Sequence, residues 1–459
     1  NPLASAGSDS PVPEQVDVCI IGSGLTGVSC AYHLAQLVES GAIGSMKLVI
    51  LEARDFCEHL LSLVRRNGGQ LVVGRFSKMH GLTMQYGAEE AIKSTAIEEY
   101  TVSEIRKIIR ENGWEGDVDL VECRRVNLVF NPRDLGGIES DIAAARRAKV
   151  SGIDNVEVLT VEQAEKEYGA KYPGYRQPGN NLWPLKLVTK LFQHAQDPAA
   201  SRNSTRSFPP AGFSSATSSS MDLALYTHTT VMSVIPSWIG DSNRAYDVQT
   251  TKGIIHADYV VHATNVYVSH LLPQFSEPEN AVVPVRGQVI GTRASVPRGE
   301  LWSDNFVGNA GFEYWFPRPC PSSERPLIIL GGGRESAPWE YNVTDDSILD
   351  ETVGKTLRGF LPAVYPNSFS KDTEPEFEWT GIMGFTPTKD PYVGLVSSSS
   401  ARPSGEYVSV GYNGRGMARA FACAEAIAQM IVAKQNGKTW ERPPWLPIWY
   451  LTEQTRTGL

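Results

Sequence analysis

The chain has 459 residues, 41% hydrophobic and 20% charged, the balance of a folded globular protein rather than a disordered one. A net charge of -9 argues against a nucleic-acid partner, because phosphate binding needs a basic face, and no apolar run reaches the roughly 18 residues of a membrane span. The six cysteines are scattered without C-x-x-C spacing, against a zinc site or a disulfide scaffold, and no other metal set is expected. The length allows two or three domains. The start at Asn1 is read as a trimmed end, and the location is expected to be cytoplasmic. Two N-x-[ST] sequons, at Asn203 and Asn342, leave secretion open.

Residues 16–21, VDVCII, are predicted to form a buried parallel strand. Gly22-Ser23-Gly24-Leu25-Thr26-Gly27 follows, and then an apolar stripe of Val28, Ala31, Leu34, Ala35 and Val38 that reads as a helix. In that setting Gly22 permits a tight turn and Gly24 lets the backbone approach a pyrophosphate. Gly27 lets helix pack on strand, and the first N–H groups of the helix face the phosphates. A second strand, MKLVIL (46–51), leads into Glu52, whose carboxylate suits the hydroxyls of a ribose without a 2′-phosphate. The turn is predicted to hold an ADP moiety.

The rest of the chain carries no second G-x-G-x-x-G. GGGR (331–334) follows the strand-like LIIL but lacks the spacing. Either NAD is the sole cofactor, or a flavin is reduced directly by the substrate. Residues 96–113 read as an amphipathic surface helix, and the Pro/Ser-rich stretch 201–220 as a flexible loop. Residues 405–431 repeat the strand–glycine–helix pattern, with Gly411, Gly414 and Gly416 before a helix carrying Ala420, Ala424, Ile427, Met430 and Ile431.

Several stretches in order carry a family resemblance: LEARD (51–55), RNGGQL (66–71), NLWPLKLV (181–188) and VVHATNVYVSHLLP (260–273). VPVRGQV (283–289), WTGIMGFTP (379–387) and GYNGRGMARA (411–420) complete the set. With the first glycine turn, they make the chain resemble the flavoprotein family of D-amino-acid oxidase, glycine oxidase and sarcosine oxidase, in a pattern like its γ-glutamylputrescine-oxidase-like members. The resemblance implies an α/β protein whose Rossmann-like FAD-binding domain is discontinuous (13–90, 176–272 and 376–435). An α+β substrate domain on an antiparallel sheet (91–175 and 273–375) and a tail packed on the body (436–459) complete it. It also implies bound FAD. Expected FAD contacts are Gly22, Gly24, Leu25, Thr26 and Gly27, then Glu52, Ala53 and Arg54, and a loop of Arg66, Asn67, Gly68, Gly69 and Gln70. Val231 would lie by the adenine, Ala263 and Thr264 by the pyrophosphate, and Gly384, Gly414, Arg415, Gly416 and Met417 by the flavin ring. A helix N-terminus there would stabilise the negative charge of the reduced ring by roughly 0.3–1 kcal/mol and raise its potential.

The chain departs from relatives in a bulkier, longer segment 57–65 and in Arg415, where relatives often show His. WTGIMGF holds no Cys and His59 is offset from an attachment position, so FAD is expected to be non-covalent. The resemblance implies an enzyme that takes a hydride from the C–H beside an amine nitrogen to flavin N5, with a small-molecule amine or amino acid as substrate. Tyr314, Arg334, Met383 and Arg415 are the candidate catalytic residues. In EYWF (313–316), either Tyr314 and Phe316 or Glu313 and Trp315 face the pocket. Arg334 either holds a substrate carboxylate or makes an internal salt bridge, and Arg415 either acts on the flavin or points to solvent or a salt bridge. Arg286 is expected to tie the sheet, and His80 and His262 to be structural and without a pairing that points to chemistry. Competing readings are a tailoring enzyme acting on a larger nitrogen compound, a flavin-binding protein without turnover, and an NAD-dependent dehydrogenase.

Overall fold

The computed structural model describes residues 1–57, 68–197, 220–237, 243–396 and 404–452. Arg66, Asn67, His59, Asn203 and nearly all of 201–220 lie outside these residues. Strands β1 (Gln15–Ile21) and β2 (Met46–Leu51) begin a first sheet. β3 (Gln70–Leu71), β4 (Val121–Leu128), β5 (Glu157–Leu159) and β6 (Gly174–Asn181) belong to a second. The chain returns to the first sheet for β7 (Met221–Tyr226), β8 (Val231–Pro236), β9 (Tyr246–Thr250) and β10 (Gly253–His262). It supplies β11 (Val283–Arg293), β12 (Asn305–Gly308), β13 (Glu313–Pro317), β14 (Leu327–Gly332) and β15 (Phe377–Phe385) to the second, and ends with β16 (Tyr392–Leu395) and β17 (Glu406–Val410) in the first.

The first sheet runs β16-β17-β10-β1-β2-β7, and β17, β10, β1, β2 and β7 are parallel. Val16, Val18, Cys19 and Ile20 are fully buried, as a strand covered on both faces requires. Each such aliphatic side chain contributes about 1.5–3 kcal/mol of burial. The helices Leu25–Glu39, Pro184–Gln196 and Ala420–Gln435 cover one face through Leu34, Phe192 and Phe421. Cys30 packs here and Cys19 in the core on the other face, both as free thiols.

The second sheet runs β15-β11-β14-β13-β12-β4-β6-β3 and is antiparallel except where β12 meets β4. The helix Glu351–Val364 covers its outer face, where Trp315 stacks on Phe306 and packs with Val126, Leu330 and Leu357. Its inner face turns toward the glycine turns of the first sheet.

The structure departs from the sequence-based boundaries at three points. β15 carries WTGIMGF, assigned to the nucleotide side in 376–435, yet it pairs along its length with β11. β6 straddles the boundary at 176 and pairs with β4, and β3 pairs with β6. The helix Lys93–Glu111, placed by sequence on the surface of the substrate domain, buries Ile97, Ile105 and Ile109 in the core of the first sheet's helices. The physical reason is the same each time: pairing partners and the second half of an apolar interface are remote in sequence, so local pattern does not set which sheet an element joins.

Residues 436–452 of the tail pack on the body. Trp445 stacks on Tyr100 and Trp449 on Tyr86, and Leu446 and Tyr450 are fully buried. Arg286 pairs with the buried Glu340 at 2.5 Å and ties the sheet to the following loop. His262 is not solitary: its Nε2 lies 2.8 Å from Glu406 in the first sheet. Asn342 is exposed. Among the described residues, no helix is long and apolar enough to cross a membrane and no cluster suits a metal ion.

Candidate active site

The site begins where β1 ends. A Cβ on Gly22 would lie 2.7 Å from the Ala263 carbonyl oxygen, so the strand end β10 and the turn touch backbone to backbone. A Cβ on Gly24 would meet nothing within 4 Å, which leaves that backbone open to a ligand. The helix Leu25–Glu39 starts with Gly24 as its N-cap and no capping side chain, so its first N–H groups remain available. Thr264 adds a buried hydroxyl oxygen without a partner at the end of β10. An anionic diphosphate answers both the open N–H groups and the orphaned hydroxyl. The residues present therefore fit an FAD pyrophosphate.

Glu52 stands at the end of β2. One carboxylate oxygen accepts from the Ser23 N–H at 3.0 Å and hydroxyl at 2.8 Å, and the other from the Arg54 N–H at 3.1 Å. These bonds aim the carboxylate and leave lone pairs for ribose hydroxyls. Ala53 is exposed beside it. The backbone before Val231 folds against this end, with Thr229 N–H donating to the Glu52 carbonyl at 2.8 Å. The Arg54 side chain is engaged within the protein. Its Nη1 donates to both Asp346 carboxylate oxygens at 2.9 and 3.0 Å and its Nη2 to the Tyr267 hydroxyl at 2.9 Å, linking the end of β2 to a loop of the second sheet.

The second glycine turn follows β17. Gly411, Asn413 and Gly414 all have positive φ, and the chain passes through a short turn at Gly416–Ala418 before the helix begins at Ala420. Thr26 on the first turn donates to the Tyr412 hydroxyl at 3.1 Å, so the two turns are tied together. Asn265 accepts from the Gly411 N–H at 3.0 Å, and a Cβ on Gly384 would lie 3.0 Å from that same oxygen. Met383 reaches Gly414, its sulfur 3.7 Å from where a Cβ would be. Met417 points into the core, so only its backbone faces the turn. Gln70 is occupied otherwise, donating to the Phe306 carbonyl at 3.0 Å, and Gly69 accepts from Leu182 N–H at 3.0 Å.

The open choice on β13 is resolved by packing. Trp315 fills the outer core, so Tyr314 and Phe316 face inward. Phe316 packs with Val289, Ile329 and Trp379, whereas the Tyr314 ring leans between Gly68 and Gly331, where any Cβ would strike it. Burial pushes the Tyr314 phenol up, and Arg334 pulls it the other way. Arg334 forms no salt bridge among the described residues. Its guanidinium carbon sits 4.7 Å from the Phe312 ring centre and 5.5 Å from that of Phe385, and its Nε is buried without a partner.

Arg415 takes the salt-bridge alternative. It meets Glu98 at 3.0 Å, and Glu98 also holds Arg419 at 2.8 Å and the Gly74 N–H at 2.7 Å. Burial pushes the Glu98 carboxyl up, but Arg415, Arg419 and the N–H overcome it and hold it below the ordinary range. Sequence reading passed over Glu98. The signal was present, since Glu98 falls on the same helical stripe as Thr101, Val102 and Ile105, where a carboxylate has no reason to be unless it is paired. Arg125 and Tyr175, on the inner face of β4 and β6, were also missed, because neither lies in a motif.

The FAD dependent oxidoreductase family matches residues 17–201 and 219–430. The chain is 22% identical over 426 residues to a probable oxidoreductase OrdL of Haemophilus influenzae, covering 91% of this chain and 83% of that one. It is 24% identical over 425 residues to the gamma-glutamylputrescine oxidoreductase of Escherichia coli, covering 90% and 83%. Among solved structures, the L-proline dehydrogenase of P. horikoshii superposes with a TM-score of 0.65 at 16% identity, covering 97% of this chain and 99% of that one. The glycine oxidase of Geobacillus kaustophilus gives 0.64 at 18%, covering 94% and 98%. With matched segments spanning most of its length, a twin-glycine-turn nucleotide site and this architecture, the chain belongs to the FAD dependent oxidoreductase family, as an oxidoreductase of the amine and amino-acid oxidase kind.

Proposed function

We propose that the protein oxidises a C–N bond of a small amine or amino acid, with FAD held non-covalently and reduced by the substrate itself. When bound, FAD supplies the two-electron acceptor for the hydride leaving the carbon beside nitrogen. The chain's own groups do the rest. The first turn (Gly22, Gly24, Leu25, Thr26, Gly27), Glu52 and Ala53, and the Ala263–Thr264 strand end hold the nucleotide half. Gly68 and Gly69, Val231, and the turn of Gly384, Gly414, Arg415, Gly416 and the Met417 backbone complete the cradle. Tyr314 and Met383 wall the substrate side and exclude water, which sharpens every electrostatic interaction inside. Arg334, unpaired over two rings, orients a substrate carboxylate through its planar fork and so places the reacting C–H. The imine product is then lost to hydrolysis.

The observation that supports this reading best is the inner face of the second sheet. There Tyr314 leans against Gly68 and Gly331, Met383 reaches Gly414 of the second glycine turn, and Arg334 lies unpartnered over Phe312 and Phe385. Acid precipitation tests the cofactor claim. All yellow colour is expected in the supernatant, and colour left on the protein contradicts non-covalent binding.

A further inference from the structure

We propose that Arg125 is a second anion-binding group of this site, and that the substrate is an amine or amino acid carrying an additional carboxylate remote from the reacting C–N bond. The inference rests on the amine-oxidising reading above.

Register places Arg125 on the substrate face. Tyr314 pairs with Val307, Val307 with Asn127, and Arg125 lies two residues along β4 from Asn127, so all share the inner side of the sheet. β13 and β4 are two strands apart, which separates Tyr314 from Arg125 by about 10 Å across the sheet. The guanidinium is half-buried, and among the described residues it has no ion pair and no hydrogen bond.

Its surroundings lack a carboxylate to spare. Glu98 is shared by Arg415 and Arg419, Asp390 is bound by Arg419 at 2.7 Å and by the Trp449 N–H at 3.1 Å, and Asp141, near Tyr175, accepts from the Lys78 N–H at 3.1 Å and the His80 N–H at 2.8 Å. Among the described residues, none of these acids pairs with Arg125. A guanidinium withdrawn from water without a partner is costly, and the protein could have removed that cost with one more acid. Burial lowers the Arg125 guanidinium to about 10, with Tyr175 and Glu98 pulling it up and Arg415 pushing it down. The Tyr175 ring, set edge-on against Phe76 at 4.8 Å, supplies a phenol at the same spot. An unpaired fork plus a phenol matches a carboxylate. With Arg334 at the other end of the same face, the two cations bracket Tyr314.

The test uses the holoenzyme and reads the flavin absorbance, with no turnover required. Adipate and hexanoate, of equal carbon number and differing by one carboxylate, are titrated into wild type, Arg125→Gln, Arg125→Lys and Arg334→Gln. Adipate is expected to bind wild type at least about tenfold tighter than hexanoate, and Arg125→Gln to lose that advantage while its hexanoate affinity stays within about twofold. Arg334→Gln is expected to weaken both. Equal binding of the two acids by wild type overturns the proposal, as does an adipate advantage that survives Arg125→Gln. A shifted flavin potential in Arg125→Gln with that advantage intact also overturns it, assigning the charge to the cofactor instead. If the Gln variant does not retain FAD, Arg125→Lys decides. It keeps the charge but not the fork, so the advantage should fall roughly threefold or more, and an unchanged one overturns the proposal. Flavin bleached by amines but blind to both acids defeats this inference alone, whereas flavin that no amine or amino acid reduces defeats the amine-oxidising reading as well.

Discussion

Glu313 is buried on the outer side of β13, with one oxygen accepting from the Gly333 N–H at 3.1 Å and its carboxyl facing that of Glu335. Burial and then the neighbouring Glu335 push it up to about 7, so the pair holds a proton that a free carboxyl would have released near 4.5. Because the folded state binds the proton more tightly, its stabilisation is complete below about 4.5 and is lost as pH rises through about 7. Stability measured by denaturant is expected to fall by something of order 1–3 kcal/mol over that window, and Glu313→Gln to flatten the fall. A wild-type profile with no decline there would contradict the shared proton. At Gly24, any large side chain fills the space left for the ligand. Gly24→Leu is expected to purify as folded, colourless apoprotein, and a normal flavin content would show that the turn does not hold the cofactor. Arg415→Ala leaves Glu98 with one guanidinium fewer in a fully buried setting. The expected cost is about 3 kcal/mol of stability, read as a lowered Tm with far-UV signal retained.

The C-terminal segment acts at the scale of an element. It threads Trp449 under Tyr86 and Trp445 against Tyr100, and Trp449 donates to Asp390, the residue that holds Arg419 behind the second glycine turn. The tail is thus a strap across the helix Lys93–Glu111 and the second glycine turn. Trp449→Ala removes a buried aromatic and one partner of a buried carboxylate, an expected loss of about 3–5 kcal/mol. FAD release should be faster in that variant, and an unchanged release rate would confine the strap to stability. Elements of this kind show how far sequence reading reaches. β1, β2 and the helix Leu25–Glu39 were legible because strand, glycines and helix are consecutive, and each carries its own period. Glu98 joins Arg415 across more than three hundred residues, and β15 finds β11 across roughly ninety, so their partners cannot be read from neighbours in the chain. Arg334 was legible as a candidate and its partner choice was not, since only packing shows that Phe312 and Phe385, rather than an acid, surround it.

For the molecule as a whole, two sheets alternate in sequence and meet at one seam. The chain crosses between them repeatedly, so the seam receives the ends of β1, β2, β10 and β17 from one sheet and the inner face of β13, β14 and β15 from the other. Parallel strands deliver glycine turns and helix N-termini to that seam, and the second sheet delivers Tyr314, Met383 and Arg334. In the proposed function, one side holds the nucleotide and the other presents the substrate. In that reading, electrons enter from the substrate face rather than from a nicotinamide. That claim has a direct measurement. The holoenzyme is mixed anaerobically with a panel of amines and amino acids, some bearing a second carboxylate, and separately with NADH and NADPH. Bleaching of the oxidised flavin band by a member of the panel, and none by either nicotinamide, is the predicted result. Rapid bleaching by NADPH with no amine present, and none by the panel, would contradict the account.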